Sequence, residues 1–328
     1  MLSRVAASLH RLGRDLERAD HLARSLDHHL TLWLDRGGVP GDPANPDSWG
    51  RNRGDDFWVR FLRLCGHDLD QRVSQREALE RTIVGTGGPS IYGAVSDARR
   101  AAQAVRPSLS SEVYEQVNGL YWRLDESDRR RDLHGLLRQV QLGVNLVDGL
   151  IAETMVHDQT WDFLRVGKYL ERAANVTRLV TTKLVELAPG AETAQWATVL
   201  RCCSAFEAYR WRFSAEVTPE RLTGFLLFDQ ALPRSARYCV GEALAAVARI
   251  DGPGARSRPY RLLGQAQALF EYSDQAEVVA APVGFAGAFG DLAGGIEEAL
   301  AATYFQPSRH ASQDLASPPP AWASQGQQ

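Results

Sequence analysis

The chain is short of the residues that announce the commoner chemistries. Only four cysteines occur in 328 residues, Cys65, Cys202, Cys203 and Cys239. None forms the CxxC pair of a zinc site, and four are too few for a secreted disulfide framework, so buried thiols in a reducing cytoplasm are expected. The eight histidines also lack ligand spacing. Glu17 with His21, and Glu153 with His157, lie one helical turn apart instead of in the Glu-x-x-His spacing of carboxylate-bridged bundles, and no resident metal is expected. No charge of one sign dominates: 37 Lys and Arg stand against 40 Asp and Glu, a net charge of -3. That balance offers no basic face for phosphate neutralisation, and the run Arg129 to Arg131 is bracketed by Asp128 and Asp132, so no nucleic-acid role is expected. No window is long and uncharged enough to span a membrane, and the first twenty residues carry charges where a signal peptide needs an apolar stretch. Strand patterns are nearly missing. The glycine cluster from Gly85 to Pro89 follows no strand and precedes no GK[ST], which argues against a phosphate loop. No hydrolase triad is legible.

What is present is helical periodicity. Leu2, Val5, Leu9, Leu12, Leu16, Ala19, Ala23, Leu26, Leu30 and Trp33 alternate in steps of three and four, which predicts one long amphipathic helix over 2–34. A cluster of glycines and prolines makes 35–56 a loop insertion. Helices are predicted at 57–82, 90–105, 109–124, 128–158 and 160–187, then at 191–213, 233–250, 257–274 and 285–304, with Pro219 among the punctuation. The Ser-, Pro- and Gln-rich stretch 307–328 reads as a disordered tail. The expected fold is all-α.

A self-comparison organises the rest. Residues 9–30 align without gaps to residues 163–184, with Arg11, Gly13, Leu16, Glu17, Arg18, Ala19, Arg24 and Leu30 identical to their counterparts. Weaker echoes pair Trp58, Leu62, Arg63 and Cys65 with Trp196, Leu200, Arg201 and Cys203. These matches predict two diverged helical halves, 1–158 and 159–306. At 100° per residue Gly13, Glu17 and Arg24 fall within about 40° of one another, and Gly167, Glu171 and Arg178 repeat that stripe. A glycine there lets another backbone approach closely, at a helix cost of about 1 kcal/mol relative to alanine. Two readings stand open. The stripes hold ion pairs between helices, or they line a cleft whose carboxylates and guanidiniums bind an amino-acid-like or phosphorylated ligand.

The residues that carry these stripes also resemble a bacterial family, the alpha-E domain proteins. The resemblance rests on Leu2-Ser3-Arg4, Gly13-Arg14, Leu16-Glu17-Arg18-Ala19 and Ala23-Arg24 at the start. Further along it rests on Ser110-Ser111-Glu112 to Leu120-Tyr121, on Gly167-Lys168-Tyr169-Leu170-Glu171-Arg172-Ala173 with Arg178, and on Phe228-Asp229 with Pro233-Arg234-Ser235. It covers residues 1 to about 305. His10, Arg11 and Asp15 depart from the family's pattern around the first Gly-Arg, and Asp20-His21 replaces its Glu-Asn, so the second copy is the closer match. Such proteins are encoded beside, or fused to, circularly permuted ATP-grasp proteins, often with transglutaminase-like proteins and a proteasome-related peptidase. The resemblance thus implies a subunit acting with an ATP-grasp ligase in amide or peptide formation, with ATP and magnesium on the partner and no cofactor in this chain. On that reading Glu171 and Glu17 orient or deprotonate an amine. Arg172, Arg178, Arg18, Arg24, Arg14 and Lys168 hold carboxylate or phosphate groups. The competing reading is a non-catalytic scaffold or interaction module.

Overall fold

The computed structural model describes residues 1–36, 56–68, 73–85, 88–126, 132–187, 193–214 and 216–306. Most of the loop expected at 35–56, and the tail at 307–328, lie outside these residues. Among the described residues there are fourteen α-helices and no strand, and the fold is all-α. In chain order they are α1 (Ser3–Asp35), α2 (Phe57–Leu64), α3 (Gln75–Val84), α4 (Ile91–Ala104), α5 (Ser111–Glu126), α6 (Leu133–Thr154) and α7 (Gln159–Glu186). There follow α8 (Thr193–Cys202), α9 (Phe206–Phe213), α10 (Pro219–Thr223), α11 (Ala236–Asp251), α12 (Arg258–Tyr272), α13 (Gln275–Ala280) and α14 (Pro282–Leu300). The helices α10 and α14 run on into π-helical turns at Gly224–Phe228 and Ala301–Phe305.

The two long helices stand where the periodicity predicts them. Several shorter ones end earlier than predicted, for local reasons. The run 57–82 is broken after α2, where Gly66 at φ 90° turns the chain, its N–H bonding Arg63 O while His67 N–H bonds Leu62 O. The run 191–213 is broken the same way. Ser204 adopts φ 51°, and the N–H groups of Ser204 and Ala205 bond Arg201 O and Leu200 O. This left-handed turn closes a helix by satisfying its last carbonyls. Since Cys65, His67, Cys203 and Ala205 all stay buried, the apolar pattern continues across the break and hides it. The run 257–274 stops at Tyr272, and Asp274 starts α13 by accepting from the N–H groups of Ala276 and Glu277. Ser90 and Ser235 likewise cap α4 and α11.

The helices α1 and α7 form the spine of the molecule. Among the described residues they share the most extensive contact of any pair; α4, α6 and α8 flank α1, while α11 and α14 flank α7. One apolar cluster is drawn from Ala6 through Leu164, and a second from Leu64 and from Val166 through Leu300. Leu9, Leu12 and Leu26 are fully buried in the first, Leu179, Val180 and Leu200 in the second. Burying each such side chain contributes about 1.5–3 kcal/mol. The polar seam between α1 and α7 lies where the two clusters meet.

Candidate functional site: a reciprocal Glu-Arg clasp

The seam begins with two glycines. A Cβ on Gly13 would stand 2.9 Å from the carbonyl carbon of Leu164, and a Cβ on Gly167 would stand 2.9 Å from that of His10. Each glycine therefore admits the backbone of the other helix, and the contact is the same from both sides. One turn further along, each glutamate reaches the arginine that follows the other. Arg172 donates from Nε and Nη2 to the two oxygens of Glu17 at 2.8 and 2.6 Å. Arg18 donates from Nε and Nη2 to those of Glu171, both at 2.9 Å. Two Glu-Arg dipeptides, 154 residues apart, thus exchange partners through two bidentate forks, the strongest geometry open to these groups. The contacts advance together along both helices, so α1 and α7 run in the same general direction here.

The two forks sit at different depths. Side-chain exposure is 7% for Arg172 and 3% for Glu17, but 34% for Arg18 and 11% for Glu171. Burial drives the Glu17 carboxyl upward. The charge and hydrogen bonds of Arg172, with help from Arg234, outweigh it and hold Glu17 below the usual carboxylate range. Asp20, one turn on and equally buried, is held low in the same way by Arg234 and Arg24 against its own desolvation. Arg24 Nε donates to Asp20 at 2.8 Å, and Arg234 Nη1 donates to it at 3.1 Å. His21, beside them, is pushed down to about 4, first by burial and then by the charge of Arg178, so it is neutral at pH 7.

The remaining expected site residues divide around this seam. Arg14 turns to its neighbour Asp15 at 3.0 Å, and Lys168 pairs with Asp148 on α6 at 2.8 Å. Arg24 also reaches Asn145 on α6 at 3.4 Å. Among the described residues the Arg178 side chain bonds only the amide oxygen of Asn175, at 3.2 Å. The structure thus brings Glu17, Glu171, Arg18 and Arg172 into one constellation with Arg24 beside it, whereas Arg14 and Lys168 pair elsewhere. Arg234 belongs to the constellation and was not singled out as a site residue. Its only trace in the sequence is the Pro-Arg-Ser stretch, whose serine caps α11 and so points Arg234 back at α1. Among the described residues no three His, Cys, Asp or Glu side chains converge on a metal position. His157 instead donates from Nε2 to Ala152 O and stacks on Trp161 at 4.0 Å. No helix among the described residues is long and apolar enough to cross a membrane.

Comparison with known proteins agrees with this geometry. The chain is 28% identical over 185 residues to the uncharacterised protein Rv2567 of Mycobacterium tuberculosis, covering 54% of this chain and 21% of that protein. It is 27% identical over the same length to the uncharacterised protein Mb2597 of Mycobacterium bovis. The matched stretch spans about a fifth of those relatives, 21% of each. No solved structure matches. Residues 1–305 match the Alpha-E family, described as a predicted alpha-helical domain with a conserved ER motif, and the chain, whose two Glu-Arg pairs clasp each other across α1 and α7, belongs to that family.

Proposed function

We propose that this chain is a helical subunit or module that works with an ATP-grasp ligase in forming or modifying an amide or peptide bond, and that its Glu-Arg pairs hold the body together instead of performing the chemistry. The observation that carries the second half is the clasp itself. Both oxygens of each glutamate accept from a guanidinium fork. A carboxylate so engaged has both oxygens committed to a guanidinium whose charge disfavours protonation, which makes it a poor base for an amine. The first half rests on the family resemblance. It is supported by relatives in which the matched stretch is a fifth of a much longer chain, as expected of a module built to work beside other domains. Circularly permuted ATP-grasp proteins are the partners this reading names, with transglutaminase-like proteins and a proteasome-related peptidase as further companions. ATP and magnesium would be bound by the ligase.

The test is reconstitution of this chain with the ATP-grasp protein encoded beside it, ATP, magnesium and a panel of amino acids, with products read by mass spectrometry. Omitting the chain should abolish or alter the product. Glu171→Gln should keep the product rate within about threefold, less than 1 kcal/mol in the barrier. An unchanged product without the chain overturns the partnership. A folded Glu171→Gln protein that forms no product makes Glu171 the base and overturns the structural reading of the clasp.

A further inference from the structure

The repeat places two equivalent arginines on the seam, and their surroundings differ in one respect that matters. Arg24 and Arg178 are counterparts at the 154-residue offset. Four residues before Arg24 stands Asp20, whose carboxylate it binds at 2.8 Å. Four residues before Arg178, where that aspartate would be, stands Ala174. Among the described residues Arg178 has no carboxylate within ion-pair distance. Its single side-chain hydrogen bond runs to the amide of Asn175, at 3.2 Å. The guanidinium is partly buried, and a Cβ on Gly66 would stand 2.8 Å from its Nη1, so the glycine of the turn after α2 leaves the space it occupies. A guanidinium taken out of water without a counter-charge is costly, and the cost is relieved by an anion that fits its fork.

A second observation points to the same place. His21, three residues before Arg24 and the counterpart of Asn175, is 7% exposed; among the described residues its ring nitrogens make no hydrogen bond within the chain and are not sealed from solvent. It lies within electrostatic reach of Arg178, Glu17, Glu171 and Asp20. A ring nitrogen that no protein group engages and that solvent reaches is open to a ligand. As a neutral ring His21 carries one N–H donor and one acceptor. Asn175 completes the group: its amide nitrogen donates to Glu171 at 3.3 Å while its oxygen accepts from Arg178, so the amide ties the open arginine to the outer fork of the clasp.

We infer that Arg178 and His21, oriented by Asn175, form a binding site for a small oxyanion, the carboxylate of an amino acid or a phosphate group, at the place where the first repeat supplies its own carboxylate from Asp20. The ligand anion would stand to Arg178 as Asp20 stands to Arg24, accepting from the free edge of the guanidinium and from the His21 N–H. This goes beyond the structural reading of the clasp, because the site uses a repeated seam arginine that the clasp and its flanking aspartates leave open.

The experiment uses the full chain alone at low ionic strength and follows melting temperature and calorimetric binding during titration with inorganic phosphate in one arm and glycine in the other. Sodium chloride at matched ionic strength serves as the control. A response to phosphate alone assigns a phosphate site, and a response to glycine assigns a carboxylate site. Arg178→Gln should weaken the binding about tenfold or more, the loss of a charge-assisted pair, while Arg178→Lys keeps part of it. Ala174→Asp restores at the second repeat the carboxylate found at the first. It should raise the melting temperature and abolish the anion response together. Wild-type protein that responds to neither anion beyond the salt control overturns the inference, as does a response that Arg178→Gln leaves unchanged. Because binding is read without any ligase, failure here leaves the partnership reading standing.

Discussion

The inner and outer forks of the clasp are made of the same two residues in the same geometry, yet they are not the same interaction. At the inner fork Glu17 and Arg172 are both nearly sealed from solvent, and Arg234 reinforces the carboxylate from 3.8 Å. At the outer fork Arg18 is about one-third exposed and shares its charge with Asp15 at 4.0 Å. A sequence motif thus specifies who pairs with whom, while depth specifies what the pair is worth. Removing one partner of a buried pair leaves an uncompensated charge in a poorly polarisable interior, whereas water replaces a lost partner at the outer fork.

The sharpest way to break that comparison is to remove one carboxylate charge from each fork. Glu17→Gln should cost about 3–5 kcal/mol, because Arg172 then keeps its charge against neutral acceptors alone, one amide oxygen in place of the carboxylate and Pro233 O at 3.4 Å. Glu171→Gln should cost about 1 kcal/mol or less. Urea unfolding of the two variants measures both. Equal losses would mean that depth does not separate the forks.

The two glycines sharpen the comparison from the other side, because here the structure makes the two contacts alike. A Cβ at either position meets backbone of the opposite helix, Leu164 and Lys168 in one case, His10 and Arg14 in the other. Neither backbone can swing aside as a side-chain tip would. Gly13→Ala and Gly167→Ala should therefore each lose about 1–3 kcal/mol, by similar amounts, although alanine is intrinsically the better helix former. A gain in stability from either substitution would show that the seam is looser than these contacts require.

These contrasts also mark what the sequence makes legible. The spine helices, their shared face, and the importance of Gly13, Glu17, Glu171 and their arginines all follow from a self-alignment and a helical wheel. The partner exchange does not. A helical wheel shows that Glu17 and Arg18 belong to adjacent positions, but only the glycine-to-glycine crossing brings Glu17 to Arg172 and Arg18 to Glu171. The broken helices after Leu64 and Cys202 were hidden for a related reason, since a left-handed turn preserves burial on both sides and leaves the apolar spacing intact. Arg234 was hidden because it lies more than 200 residues from Asp20, at the start of a predicted helix outside the self-aligned stretches. The matched turns after α2 and α8 and the paired glycine contacts support the view that the halves arose by duplication, which we propose as the origin of the clasp.

The most gradual effect concerns pH, and it separates the clasp from the histidines packed along the same helix. His21 and His29 are both buried, and burial is the first cause that pushes them down, to about 4 and about 3. His29 sits against Phe61 at 5.1 Å, with Nδ1 2.7 Å from Ser25 O. A histidine whose folded pKa lies below its ordinary value of 6.5 binds protons more readily when unfolded. Its contribution is therefore complete above about pH 6.5 and is lost as pH falls from there toward the folded value, by about 1 kcal/mol per pH unit for each ring. Glu17 behaves in the opposite range. Its folded pKa is depressed from 4.5, so its contribution is intact above that pH and fades only as the solution becomes more acid. Stability measured by urea unfolding should fall between pH 6.5 and 5 while the clasp carboxylates remain charged. His29→Gln should make the slope shallower from pH 6.5 down to about 3, the whole range over which that ring loses its contribution, and leave the carboxylates' part of the acid limb in place. A wild-type curve that is flat from pH 7 to 5 would show that the two rings gain protons as easily in the folded chain as in the unfolded one. The acid sensitivity would then belong to the carboxylates of the clasp.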